Sequence, residues 1–193
     1  MAVVYDELYS QACTCAIRVD LRFTPETVEG DVDSLVCLQR SDPAVITRFF
    51  QSLKSQLCEE HYRQQRYGAP WLFRYIWCRE KDTGLYPHYH LVLFFNKDHY
   101  AYLGNYNKPD ANNMATRIQK AWCSALGLPY PHYAHLVHFP ENRVYWISRS
   151  AANNREQIYA DFLFRLAYLS KIDTKDINDG QRNFGCSQLK QVK

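Results

Sequence analysis

The sequence predicts an α+β fold, an antiparallel sheet of about five strands with helices mainly on one face. Three observations carry this expectation. Residues 15–23, Cys-Ala-Ile-Arg-Val-Asp-Leu-Arg-Phe, alternate apolar and polar side chains without a break, the period of a half-buried strand. Trp71–Glu80 and His88–Phe95 are two strand-like runs separated by a short polar turn, the pattern of a hairpin. Val45, Ile46, Phe49, Phe50, Leu53 and Leu57 recur at the spacing of one helix face.

The elements follow in order. In the first strand Ile17, Val19, Leu21 and Phe23 point one way and Arg18, Asp20 and Arg22 the other. Thr24-Pro25 ends it. Residues 26–40 are acidic and polar around Gly30 and read as a connecting loop. Ser41-Asp42-Pro43 is a helix start, a capping side chain followed by proline, and the helix runs to about Gln65. Gly68-Ala69-Pro70 breaks the chain before the second strand. Lys81–Pro87, with Asp82-Thr83-Gly84, is the turn to the third. Residues 111–126 read as a helix ended by Gly127 and Pro129. Residues 133–148 hold two short strands separated by Pro140-Glu141-Asn142. Asn153 or Asn154 caps a last helix to about Lys171, and residues 172–193 are polar and mildly basic. With no repeat, low-complexity stretch or linker, residues 1–193 read as a single domain.

Hydrophobic residues make up 47% and charged residues 22% of the 193 positions, a globular balance. The 15 Tyr, 10 Phe and 4 Trp are a high share; a Tyr-rich core accounts for most of them, and a few suit stacking against unpaired bases. Net charge is +3 but unevenly spread. Residues 1–50 carry 4 Lys and Arg against 8 Asp and Glu, and the remainder carries 19 against 12, so the basic body suits a phosphate-tracking groove. Arg74, Arg79, Lys81 and Lys171 are the cations expected to contact DNA. The seven cysteines are odd in number, scattered and without a CxxC pair, which fits reduced thiols better than disulfides or a zinc knuckle. With no basic leader and no long apolar stretch, the expectation is a soluble, intracellular protein without a membrane role.

The chemistry concentrates in Pro87-His88-Tyr89-His90-Leu91. On a strand, His88 and His90 share a face, while Tyr89, Leu91, Leu93 and Phe95 form the opposite, apolar one. His-x-His alone is common in structural strands. A natural hairpin register, however, sets Glu80 opposite His88, and opposed residues have Cβ atoms ~5 Å apart. Two imidazoles and a carboxylate suit a divalent cation with open positions for water and phosphate oxygen, here Mg2+ or Mn2+. Asp20 joins them if the first strand is the neighbour. His132, His135 and His138 invite a second metal site, but residues three apart on a strand face opposite ways, and Pro129, Pro131 and Pro140 argue against a helix.

Near the end of the last helix, Tyr168 and Lys171 are three apart and share a face. A tyrosine hydroxyl, with a pKa of ~10, is a poor nucleophile near neutral pH. It attacks a phosphodiester when a metal polarises the phosphate and a cation stabilises the charge. The product is a phosphotyrosine bond to the 5′ side of the cut and a free 3′ hydroxyl, reversible by a DNA hydroxyl.

His88-Tyr89-His90 in an apolar strand, the upstream Glu80 and the downstream Tyr168-Leu169-Ser170-Lys171 resemble the ordered motifs of the HUH endonuclease superfamily of rolling-circle initiators, relaxases and transposases. Trp77-Cys78-Arg79-Glu80, Pro87-His88-Tyr89-His90-Leu91, Tyr168–Lys175 and Arg182-Asn183-Phe184-Gly185 resemble more closely the YagK/YfjJ prophage family, grouped with inoviral gene-II-like replication proteins. The likeness covers roughly residues 15–187. It implies an RRM-like sheet with the histidine pair on a central strand and a divalent metal held by His88, His90 and Glu80. It also implies Tyr168 as nucleophile helped by Lys171, and single-stranded DNA at an origin or hairpin as substrate. Some superfamily members carry two tyrosines one turn apart. Here Phe164 stands one turn before Tyr168, so one nucleophile is expected. No helicase domain is evident, so the host would supply helicase and polymerase. Two competing readings remain: a non-catalytic single-stranded nucleic-acid-binding protein, and a metal-dependent hydrolase of small phosphate substrates that uses water.

Overall fold

The computed structural model describes residues 2–24, 32–81, 86–169 and 179–188, the side chains of Ser34, Gln39 and Tyr168 excepted. Along the chain run α1 (Ala2–Ser10), β1 (Cys13–Leu21), α2 (Val32–Gln39), α3 (Val45–Arg63), β2 (Arg74–Glu80), β3 (His88–Asn96), α4 (Met114–Leu126), β4 (Val137–His138), β5 (Val144–Ser148), α5 (Arg149–Asn153), α6 (Gln157–Tyr168) and β6 (Phe184–Cys186). The fold is α+β. One antiparallel sheet has the order β4-β1-β3-β2-β6, with β5 pairing β1 beside β4.

Strand alternation gives the sheet two distinct faces. Ile17, Val19, Leu21, Trp77, Tyr89, Leu91, Leu93 and Phe95 lie in one buried cluster with Phe49, Leu53 and Leu57 of α3 and Trp122 of α4. Each such side chain, fully buried, contributes roughly 1.5–3 kcal/mol of transfer free energy. Asn113 and Thr116 form a reciprocal cap at the start of α4, and Gly127 ends it at φ 73°, a left-handed position that glycine adopts without a Cβ penalty. The other face buries Ala16, Ile76, Cys78, Val92 and Phe94 under Val4 and Leu8 of α1, Ala152 of α5, and Phe162 and Leu166 of α6. The expected one-sided helices therefore hold for the two longest, α3 and α4. The shorter α1, α5 and α6 cover part of the second face and leave the end carrying His88 and His90 partly exposed.

Several expectations shift. Residues 32–39, expected as loop, form α2. Its buried anchor is Cys37, while Val32, Leu35 and Leu38 stay exposed, so tertiary contact decides the helix rather than a continuous apolar stripe. α3 begins after Pro43, and the Asp42 carboxylate accepts the Ala44 N–H at 2.8 Å. Neither Asn153 nor Asn154 caps the last helix: Asn153 closes α5, and α6 starts from Glu156 without a side-chain cap. The polar tail contributes β6 to the sheet, making six strands. The segment before β1, for which the sequence gives no strand signal, is α1. Among the described residues no helix is long and apolar enough to cross a membrane. Residues 82–85 of the predicted turn and 170–178, including Lys171, lie outside the described residues.

Candidate metal centre

The β2–β3 ladder sets Glu80 directly across from His88 and Cys78 across from His90, the register expected from the hairpin. Glu80, His88 and His90 each offer one ligand atom, and these atoms lie within 4.8 Å of one another. Glu80 Oε2 is 3.4 Å from His90 Nε2 and 3.9 Å from His88 Nε2. The two imidazoles stand edge to face with centroids 4.7 Å apart. Metal–ligand bonds to nitrogen and oxygen are about 2.0–2.2 Å, so donors at these separations need only small side-chain adjustments to share one ion. The two imidazoles are partly exposed at the open end of the sheet, and Glu80 is buried beside them. Tyr89 between the histidines is buried on the opposite face, where burial pushes its hydroxyl pKa up to about 12.

Asp20 is the neighbour that the sequence left conditional. It stands directly across β1–β3 from His90, with Oδ1 2.6 Å from His90 Nδ1. It is not one of the clustered donors. It acts through His90: occupying Nδ1 turns Nε2 toward Glu80 and His88 and fixes the tautomer a cation requires. Burial works against a charged Asp20, yet hydrogen bonds and charge from His90 and His138 outweigh it and hold the carboxyl below its ordinary pKa. Burial likewise opposes the imidazolium of His90, but the hydrogen bond and charge of Asp20, with Glu80 behind them, raise its pKa. The same negative charges that raise the His90 pKa favour a positive charge at this place. Two imidazole nitrogens and a carboxylate, with the second imidazole nitrogen of His90 already committed, are a donor set that fits a divalent ion.

The remaining expected residues are distributed as follows. Tyr168 is the last residue of α6. Leu166 and Leu169, on either side of it, belong to the buried cluster that contains Cys78 and Val92, the strand neighbours of Glu80 and His90. The C-terminal turn of α6 is therefore on the histidine face. Arg74 is on that face too, but at the far end of β2, where it pairs with Asp6 and, at 3.2 Å, Glu7 of α1. Arg79 alternates to the other face and is buried, its guanidinium engaged by Asp179, Gln181 and Asn183. These two arginines, expected at DNA, tie α1 and the chain before β6 to β2. Lys81 is exposed next to Glu80.

Two further residues lie on the histidine face: His138, one of three histidines of which the sequence allowed that one touches phosphate, and Arg18. His138, on β4, places Nδ1 3.1 Å from Asp20 Oδ2, with its side chain half exposed. It is 118 positions from Asp20, beyond any local periodicity. The other members of its triplet do not join it: His135 Nδ1 is hydrogen-bonded to the His132 carbonyl in the turn before β4. Arg18 precedes Asp20 by two and so shares its face, a placement the alternation of β1 already contained.

The family model of the YagK/YfjJ C-terminal domain matches residues 1–187. The uncharacterized protein YfjJ of Escherichia coli (strain K12) is 38% identical over 191 residues, 96% of this chain and 90% of the relative. The uncharacterized protein YagK of the same organism is 38% identical over 179 residues, 90% of this chain and 83% of the relative. No solved structure matches.

Proposed function

The chain belongs to the family of the YagK/YfjJ C-terminal domain, and from that premise we propose that it is a metal-dependent endonuclease that nicks and rejoins single-stranded DNA. In this reading it starts rolling-circle replication of a phage or other mobile element. The observation that carries the proposal is the Glu80–His88–His90 cluster at the open end of a sheet whose same face receives the C-terminal turn of α6.

Glu80, His88 and His90 would hold Mg2+ or Mn2+, with Asp20 orienting His90. The ion would supply a Lewis acid for the non-bridging oxygens of one phosphodiester. The Tyr168 oxygen attacks phosphorus, and its proton leaves to solvent. The bond to the 3′ oxygen breaks, and that oxygen takes up a proton as a free 3′ hydroxyl. The 5′ phosphate stays on Tyr168, and Lys171 offsets the added negative charge. Attack by a 3′ hydroxyl on this bond runs the same steps backward and rejoins the strand. Helicase and polymerase would come from the host.

The discriminating experiment incubates the protein with a labelled single-stranded oligonucleotide and Mn2+ and resolves the products under denaturing conditions. A label that migrates with the protein supports the proposal. Released fragments without an adduct favour a water-using hydrolase, and binding without cleavage favours a non-catalytic nucleic-acid-binding protein.

A further inference from the structure

Asp20 is shared by two imidazoles. β1 lies between β3 and β4, and Asp20 stands across from His90 on one side and His138 on the other. Its two oxygens are 2.6 Å from His90 Nδ1 and 3.1 Å from His138 Nδ1. A carboxylate only accepts, so both rings bring the proton on Nδ1, and the Nε2 of each is turned away from Asp20. For His90 that atom serves the metal cluster. His138 is outside the cluster and its side chain is half exposed. One imidazole suffices to hold the Asp20 carboxylate in place, and the half-exposed His138 ring keeps its other nitrogen free of that contact. An oriented, solvent-facing ring beside a metal cluster is placed to meet substrate.

The surroundings say which part of the substrate. Arg18 shares the face of Asp20, and its guanidinium is 3.4 Å from the Asn142 carbonyl, a long contact to a neutral acceptor. The polar strip across the sheet thus runs from a cation-holding end, Glu80 with His88 and His90, to an anion-holding end, His138 with Arg18. Single-stranded DNA carries a phosphate at every nucleotide, and such phosphate contacts set the register of a strand on its protein.

Resting on the nicking reading above, we propose that His138 is a DNA-contacting residue whose Nε2 takes a phosphodiester next to the scissile one, with Arg18 beside it. The ring donates Nε2–H to a non-bridging oxygen while Asp20 holds Nδ1, which fixes the distance between the cut phosphate and its neighbour.

The test uses the full chain with Tyr168→Phe, so that binding is read without cleavage. Affinity for a fluorescein-labelled single-stranded oligonucleotide is measured by anisotropy in Mn2+, and Mn2+ affinity by calorimetry. His138→Ala is expected to weaken oligonucleotide binding about tenfold and to lower its salt slope by about one phosphate contact, with Mn2+ affinity unchanged. His138→Gln, whose amide can still donate to Asp20, guards against loss of folding. It should keep the parent's melting temperature and Mn2+ affinity while losing the same DNA affinity. Unchanged oligonucleotide binding in both variants overturns the proposal. So does a parallel fall in Mn2+ affinity in both, which would make His138 a support for Asp20. Failure of the Tyr168→Phe parent to bind DNA at all is a separate outcome that overturns the nicking reading together with this one.

Discussion

Glu80 faces His88 across the β2–β3 ladder, yet its carboxylate is nearer to His90: 3.4 Å to His90 Nε2 against 3.9 Å to His88 Nε2. The carboxylate is thus within reach of both rings.

His88→Ala or His90→Ala should abolish Mn2+ binding and DNA cleavage with small changes in melting temperature, because both side chains are partly exposed. Glu80→Ala should weaken Mn2+ binding, because one of the three clustered donors is lost. Calorimetry with Mn2+ and a gel cleavage assay measure both. Full activity of the double histidine variant, or in excess EDTA, would sink the metal reading.

Mn2+ affinity should rise with pH. Metal-free His90 holds its proton more tightly than an ordinary histidine, and that proton must leave before Nε2 can bind. Below the raised pKa the proton competes; above it the competition ends. Asp20→Asn removes the two strongest influences raising that pKa and should move the profile to lower pH. The sign for stability is opposite: a raised His90 pKa stabilises the metal-free fold below the unfolded histidine value, and that stability is lost as pH rises through the folded value. Calorimetry in buffers of different ionisation enthalpy counts the released protons.

Tyr168→Phe should eliminate the covalent adduct and cleavage while leaving Mn2+ and oligonucleotide binding nearly unchanged, since only one oxygen is removed. Mass spectrometry of the trapped wild-type adduct identifies the linked residue. Attachment at Tyr159, or at a tyrosine in residues 100–106, would keep the chemistry and move the nucleophile.

Oligonucleotide affinity should fall steeply with salt, because phosphate contacts release counterions. Lys81→Ala should flatten that dependence. Arg79→Ala should instead lower the melting temperature by several degrees with little effect on the salt slope, because its guanidinium holds Asp179, Gln181 and Asn183 beneath the sheet. A reduced salt slope at normal stability would show that Arg79 reaches DNA after all.

Gly185→Ala should destabilise the protein by roughly 1–3 kcal/mol, the usual range for overpacking. A Cβ there would lie 2.5 Å from the Trp77 indole, which is buried among aromatic neighbours. Denaturant unfolding measures this; an unaltered midpoint would mean that β6 shifts freely along β2.

The legible parts of the structure were those written in local period. Alternation along β3 put His88 and His90 on one face, and the short turn set Glu80 across from His88. The same alternation places Arg79 on the face away from Glu80, so that its exclusion from the histidine face was readable, though its partners 100 or more positions later were not. α1 escaped notice because its buried set is only Val3, Val4, Glu7 and Leu8, set among exposed tyrosines. β6 has three residues, too few for any period, and its pairing with β2 spans most of the chain's second half. The Asp20–His138 contact depends on β4 falling beside β1, which is a property of topology alone.

The chain leaves α6 packed through Phe162 and Leu166 and rejoins the sheet at β6 with Gly185 under Trp77. Both ends of the intervening stretch are therefore fastened by contacts made elsewhere. Closing a loop costs entropy that grows only slowly with length, ~0.6 kcal/mol for each doubling. Residues added between Leu169 and Asp179 should then change stability little. If Lys171 assists Tyr168, selection on the number of residues immediately after α6 would come from chemistry and not from folding. Variants lengthened there would unfold like the parent and differ from it only in the work they do.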